Sequence, residues 1–443
     1  MKTNHPQYGE GGFALFNSLF TEDFLHYIWR YQLFDKNRLQ TTDGVFVQVL
    51  KPGYYNQQSG PDFFNARILI GEQEWAGNIE IHRKSSDWYA HKHEIDPNYD
   101  AVILHVVWEY DVPVFYANSK EIETVELKSL VSEERLNQYA KLITTNEKWI
   151  ACESELIQMP SVIIKSWMSR LYVERLEEKT AAITKILSEN NNDWEATFFI
   201  VLAKAFGMRL NGESFLNLAT SLDFSLVRKY LNQKGQMEVL LMGQAGFLEE
   251  TIEDVYFLKL QKEYRYLKKK HKLLPLFKGQ FQFFRTRPTN FPTIRLAQLG
   301  QLYEQRKKLF AVIVAANHIR EFYTIFQVGT SRYWDTHYTF GKETKKTSKQ
   351  VSKSFVNVLL INAIIPMKYA FYKFKSIDFE TLETLITNID PERNAVITAF
   401  GKRGVKAESA LESQALLQLK SNYCNKKRCL QCAIGMSLLQ RSS

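Results

Sequence analysis

Gly60-Pro61-Asp62-Phe63 and, after an apolar run, Gly77-Asn78-Ile79-Glu80-Ile81-His82 decide how this chain is read. Phe64–Ile70 and Glu74–His82 have the composition of strands, and Gly71-Glu72-Gln73 between them is short enough for a hairpin. The two strands are therefore expected to run antiparallel. Asp62 opens the first and Glu80 stands near the end of the second, so those ends meet. Alternation along a strand puts Glu80 and His82 on one face and Ile79 and Ile81 on the other. Asp62, Glu80 and His82 can then converge. Two carboxylates at one point suit a divalent ion, which keeps water ligands, acidifies one of them and stabilises charge on a phosphoryl oxygen.

Outward from the hairpin, Glu22–Leu33 reads as a helix with Phe24, Leu25, Ile28, Trp29 and Leu33 on one face. Thr21 is its expected N-cap, and Glu22 and Asp23 suit its first turn. Val45–Leu50 reads as a strand and Ser85–His93 as a loop or short helix. Ala101–Trp108 is almost wholly apolar, as expected of a central strand buried on both faces and parallel to a neighbour. Val112–Tyr116 and Ile122–Leu127 read as further short strands. From Glu133 onward the helical period takes over, in Ile163–Ser188, Trp194–Phe206, Leu226–Leu241 and Ile294–Ala315. The expected class is α+β: a mixed sheet with flanking helices over residues 1–130, then a mainly helical region over 131–443 that ends in a cysteine cluster.

At 443 residues the chain exceeds one ordinary core. Hydrophobic content of 45% and charged content of 24% describe a globular protein and exclude a disordered one. No uninterrupted apolar run of about 18 residues occurs, so no membrane span is expected. Met1–Gly12 lacks the apolar centre of a secretory signal. With 57 Lys+Arg against 48 Asp+Glu the net charge is +9, which points toward an anionic partner such as nucleic acid. The clustering of the cysteines fits a reducing compartment, and the expected location is the cytoplasm.

Four of the nine histidines, His82, His91, His93 and His105, fall close together. With Asp87 and Asp96 they read either as a second, His-rich metal site beside the carboxylates or as a loop closed by hydrogen bonds. Asp87 and His91 join the candidate catalytic residues. His105, inside an apolar strand, reads first as a satisfied core histidine. Phe281–Arg295 (FQFFRTRPTNFPTIR) sets Arg285, Arg287 and Arg295 among phenylalanines, with Asn290 nearby. Together with Lys268, Lys269, Lys270 and Lys272 it makes the strongest nucleic-acid surface in the sequence, because guanidinium forks grip phosphates and aromatic faces stack bases. The alternative is an ordered connector with internally paired arginines. Cys424, Cys429 and Cys432 supply three thiolates within reach of one centre, and Cys152 is the remaining cysteine that can complete four. Zn²⁺ and a [4Fe–4S] cluster both accept four thiolates.

Pro61-Asp62 and Glu80-Ile81-His82, in this order of elements, resemble the PD-(D/E)XK nuclease superfamily over residues 20 to 120 or so. The resemblance implies a restriction-endonuclease-like sheet, Mg²⁺ or Mn²⁺ on Asp62 and Glu80, and a further carboxylate from Glu22. The superfamily has Lys where this chain has His82, which puts the water-positioning role on His82 or on Lys84. Some iron–sulfur nucleases also staple their fold with one distant and three clustered cysteines, although there the distant one precedes the nuclease core. Over nearly its whole length the chain is also similar to a bacterial family designated domain of unknown function 2851. Ser59-Gly60-Pro61-Asp62-Phe63, Trp75–His82, Ser85-Ser86-Asp87-Trp88 and Arg287-Pro288-Thr289-Asn290-Phe291-Pro292 carry that similarity, which brings no reaction with it. The expected function is a divalent-metal-dependent nuclease or a protein derived from one. The alternatives are a non-catalytic nucleic-acid-binding or assembly factor with the same fold, and a hydrolase of a small phosphorylated substrate.

Overall fold

The computed structural model describes residues 21–56, 58–144, 148–231 and 233–440. The N-terminal segment read above as lacking a secretory signal lies outside them. The chain divides into two compact units, residues 1–167 with 419–443, and residues 168–418. The first carries the mixed sheet and the second is mostly helical, so the class is α+β. The sequence reading had joined the C-terminal cysteines to the helices. The structure groups that segment with the sheet instead, because Leu439, Leu430, Met436 and Leu438 complete the core beneath it.

The described part of the first unit opens with helix α1 (Glu22–Arg30), which buries Phe24, Leu25, Tyr27, Ile28 and Trp29. Its N-cap Thr21 makes no capping bond, and the hydroxyl pairs with Tyr139 at 3.2 Å instead. Strands β1 (Val47–Lys51), β2 (Tyr54–Tyr55), β3 (Phe63–Ile70) and β4 (Gln73–Lys84) follow. Helix α2 (Asp87–Ala90) then leads to β5 (Val102–Glu109) and β6 (Thr124–Glu126). The sheet order is β1-β3-β4-β5-β6, with β2 also on β3. The β1/β3 and β3/β4 pairs are antiparallel, while β4/β5 and β5/β6 are parallel. Val102, Leu104, Val106 and Val107 of β5 are fully buried, as its apolar composition required. Val112–Tyr116 forms no strand: Phe115 makes an isolated bridge to Glu121. Asp111 there accepts from Ser85 and Ser86, so the segment serves as a clamp on the α2 turn.

Ile79 and Ile81 face the main core with α1, and a smaller core of Trp88, Tyr99, Val102, Val114 and Ile122 lies apart from it. Gly77 has no room for a side chain, because a Cβ would strike Ile103 of β5 and sit 2.7 Å from the Ala101 carbonyl. The decisive irregularity is in β3. Ala66 pairs with Gly77 but Phe63 pairs with Ile79, a one-residue bulge centred on Asn65 at φ +56°. Because side chains alternate, a slip of one residue exchanges the faces. Continuing the bulged register sets Asp62 opposite Glu80; without the bulge it would oppose Ile81.

In the second unit, long helices such as Trp194–Phe206, Val255–His271 and Pro292–Gln305 dominate. Lys353–Lys375 is one helical stretch long and apolar enough to cross a membrane by length and composition, with 72% of it buried within the protein. Asn357, Asn362 and Lys368 interrupt its apolar run, so the sequence there shows no unbroken stretch of span length. Its burial is that of a core helix.

Asn65 carries the bulge because asparagine tolerates the left-handed backbone region better than other side-chain-bearing residues. Asn65→Gly is expected to unfold in denaturant close to the wild type, and Asn65→Val about 1–2 kcal/mol earlier. Equal stability of the two variants would remove the bulge from the account of register.

Candidate functional site

The bulge brings the two acids together as the hairpin reading requires. The Asp62 backbone N–H donates to Glu80 Oε2 at 3.2 Å, and the Ile81 N–H donates to Asp62 Oδ2 at 3.0 Å. Each carboxylate is thus anchored by the backbone of the other strand. Glu80 is 5% exposed, whereas Asp62 is only partly covered. Burial, and next the nearby charge of Asp62, push the Glu80 carboxyl up to about 9. Two acids this close do not ionise together without a cation between them or nearby.

The opposite side of Glu80 meets histidines. Its Oε1 lies 3.3 Å from His93 Nε2 and 3.5 Å from His82 Nε2. His82 also contacts His105 Nε2 at 2.8 Å through Nδ1, and His91 Nδ1 at 3.1 Å through Nε2. The parallel register sets Glu80 beside His105, so both strands aim these groups to one face. His91 is exposed, His93 half-buried and His82 buried, giving a graded path from solvent inward. Burial first, and neighbouring imidazoles second, hold His82 neutral, and burial lowers His105 to about 3. A neutral imidazole keeps the lone pair that a metal needs. One nitrogen from each of His82, His91 and His93 falls within 4.8 Å of the others. Tyr99 stacks on His93 at 3.7 Å between centroids and fixes its plane.

Helix α1 adds Glu22 and His26. His26 Nε2 lies 3.2 Å from Asp62 Oδ2, and its Nδ1 meets the Tyr55 hydroxyl at 3.3 Å. Burial opposes its protonation, but the hydrogen bond and charge of Asp62 win and raise it. Glu22 is raised by burial and feels His26, His91, Asp62 and Asp87. The sequence reading missed His26, although it stands four residues after Glu22 and so on the same helical face. Asp87 closes a turn by accepting from the Lys84 N–H at 2.9 Å, and Lys84 itself is exposed.

The expected nucleic-acid residues separate into two groups within the helical unit. Arg295 is 6% exposed, donates to Gln298 at 2.8 Å and Asn290 at 2.6 Å, and lies 3.4 Å over the Phe355 ring. Arg295 is therefore held internally, in the helix Pro292–Gln305 that is buried through most of its length, and half-buried Asn290 is its partner from the preceding turn. Arg285, Arg287 and Lys269 are exposed, and Phe284 and Phe277 near them are each 80% exposed. Cys152, Cys424, Cys429 and Cys432 line one cavity of the first unit.

A family model described as protein of unknown function (DUF2851) matches residues 22–395. That is most of the chain, and the chain belongs to this family. No curated protein and no solved structure matches it significantly.

A carboxyl raised from 4.5 to about 9 is protonated in the folded state and ionised in the unfolded state across the interval between those values. The folded state then holds the extra proton, so stability falls as pH rises through that window. In chelator-treated protein, Glu80→Gln should abolish this fall and be the more stable form at pH 8 by several kcal/mol. Thermal unfolding of both proteins from pH 5 to 9 checks it; parallel curves would refute the buried, protonated Glu80.

Proposed function

For this member of the DUF2851 family, we propose divalent-metal-dependent hydrolysis of phosphodiester bonds in nucleic acid. The observation that carries the reading is the placement of Glu80, tied to Asp62 through one oxygen and facing His82 and His93 with the other. The order of one helix, antiparallel strands bearing the acids, a short helix and a parallel strand supports the likeness to PD-(D/E)XK nucleases drawn from the sequence.

The donor set fits a metal ion. Asp62, Glu80 and Glu22 offer carboxylate oxygens, and His82, His91 and His93 offer ring nitrogens. Carboxylates alone suit Mg²⁺, while the added imidazoles favour Mn²⁺ or Zn²⁺. When bound, such an ion supplies an acidified water and neutralises charge on the phosphoryl oxygen. The remaining roles fall to the chain. His105 orients the His82 ring from the protein side. His26, held toward its protonated form by Asp62, gives its proton to the departing oxygen. Exposed Lys269, Arg285 and Arg287, with Phe277 and Phe284, hold the polyanion by charge and stacking.

A non-catalytic nucleic-acid-binding or assembly role is the second reading. It is favoured by His82, which stands where the nucleases carry Lys and is buried between two other histidines.

Purified protein with Mn²⁺ should cleave single- or double-stranded DNA or RNA, and Asp62→Asn should lower the rate by at least ~10²-fold. Arg287→Ala should weaken binding and reduce its dependence on salt by about one counterion. Binding that survives Asp62→Asn, in protein that cuts no nucleic acid with any divalent ion, would select the second reading.

A further inference from the structure

We infer that Cys152, Cys424, Cys429 and Cys432 together hold a [4Fe–4S] cluster, which ties residues 419–440 to the sheet-bearing unit and braces helix α1. The four cysteines come from two stretches far apart in sequence, yet all line one cavity, with Leu142, Ile150, Leu156 and Ile434. The cavity measures about 20 Å³, room for a water-sized sphere. Its lining is mostly sulfur and hydrocarbon, with Tyr423 and Arg428 as its polar side chains, not the several polar partners that hold a buried water.

The spacing separates the two centres that accept four thiolates. A tetrahedral zinc site draws its sulfurs to about 2.3 Å from the ion, which sets them about 3.8 Å apart and leaves no void. Among the described residues, His82, His91 and His93 form a trio of donors within 4.8 Å of one another, and no trio of these cysteines does. Four irons and four sulfides hold their thiolates at the corners of a larger tetrahedron. Thiolates no three of which gather within 4.8 Å of one another fit that larger centre better than a single tetrahedral ion.

Local structure supports thiolate ligation here. Cys424 ends a π-helical turn, Leu419–Cys424, a form of helix common at functional sites. The backbone N–H groups of Ile434 and Gly435, at the start of helix Ala433–Gln440, donate to the Cys432 sulfur. Hydrogen bonds to sulfur and a helix N-terminus both stabilise the negative charge of a ligated cluster. Gly435 admits this approach, because a Cβ there would strike the Cys429 carbonyl. Lys420, which donates to the Trp149 carbonyl at 2.7 Å, adds positive charge near Cys424.

The brace on α1 follows from the packing. Leu430, Met436, Leu438 and Leu439 join the core that holds α1, and the Tyr31 hydroxyl donates to Met436 Sδ at 3.4 Å. The cluster is independent of the hydrolytic proposal: it concerns structure, and its presence is read without any substrate.

The full chain, purified without oxygen, is assayed for iron, acid-labile sulfide, zinc and visible absorbance. Four irons and four sulfides per chain with a broad visible band are expected. Cys424→Ser and Cys152→Ser, one from each stretch, should each lose the band and the iron. One zinc per chain with no visible band would overturn the cluster in favour of a mononuclear site. Four freely titrating thiols without metal, in the same anaerobic wild-type protein, would overturn metal binding altogether. Both refutations are read on the wild type, so they stand even if a serine variant misfolds.

Discussion

The site depends on a single extra residue in a strand. Asn65, in the left-handed region, adds one position to β3 and moves Asp62 from opposite Ile81 to opposite Glu80. The pleat then sends both carboxylates to the same face. Each is locked there by a backbone N–H of the partner strand, so the register and the site specify each other. The arrangement stores electrostatic cost. Glu80 is buried beside another acid, and both effects favour its protonated form. Under the proposed function, a cation taken up by this pair displaces that proton, so its affinity rises with pH.

Helix α1 links the two clusters of the first unit. Its buried residues Phe24, Tyr27, Ile28 and Trp29 make core contacts, and Tyr27 and Tyr31 reach Met436 in the C-terminal segment. Glu22 and His26 of the same helix stand at Asp62. The C-terminal segment thus shares one core with the strands and with the helix that carries a carboxylate and an imidazole to the acids. This is a packed, short-range connection through one rigid element of nine residues.

Much of this was legible in the sequence. The hairpin was readable because Gly71 punctuates two strand-like runs, and antiparallel pairing forces its outer ends together. The burial of β5 was readable from its continuous apolar run. The bulge was not, since a one-residue slip has no compositional mark beyond an asparagine that suits many turns. His26 was not legible because α1 is remote in sequence from the hairpin, and only tertiary packing brings its imidazole to Asp62. Arg295 misled because a basic residue among phenylalanines looks the same whether a helix faces solvent or the core; its burial against Phe355 is set by tertiary packing. The Cys-bearing segment was assigned by proximity along the chain, whereas its Leu430, Leu438 and Leu439 answer to a core built some 400 residues earlier in the order of residues, around α1.

That discontinuity has a consequence for biosynthesis. The first compact unit is interrupted by residues 168–418 and completed by the segment beginning at Leu419. A ribosome therefore delivers the sheet long before the piece that closes its core, and the helical insert must emerge in between. The nascent sheet spends that interval with apolar surface uncovered, a state that invites chaperone engagement and makes slow translation of the insert hazardous to yield.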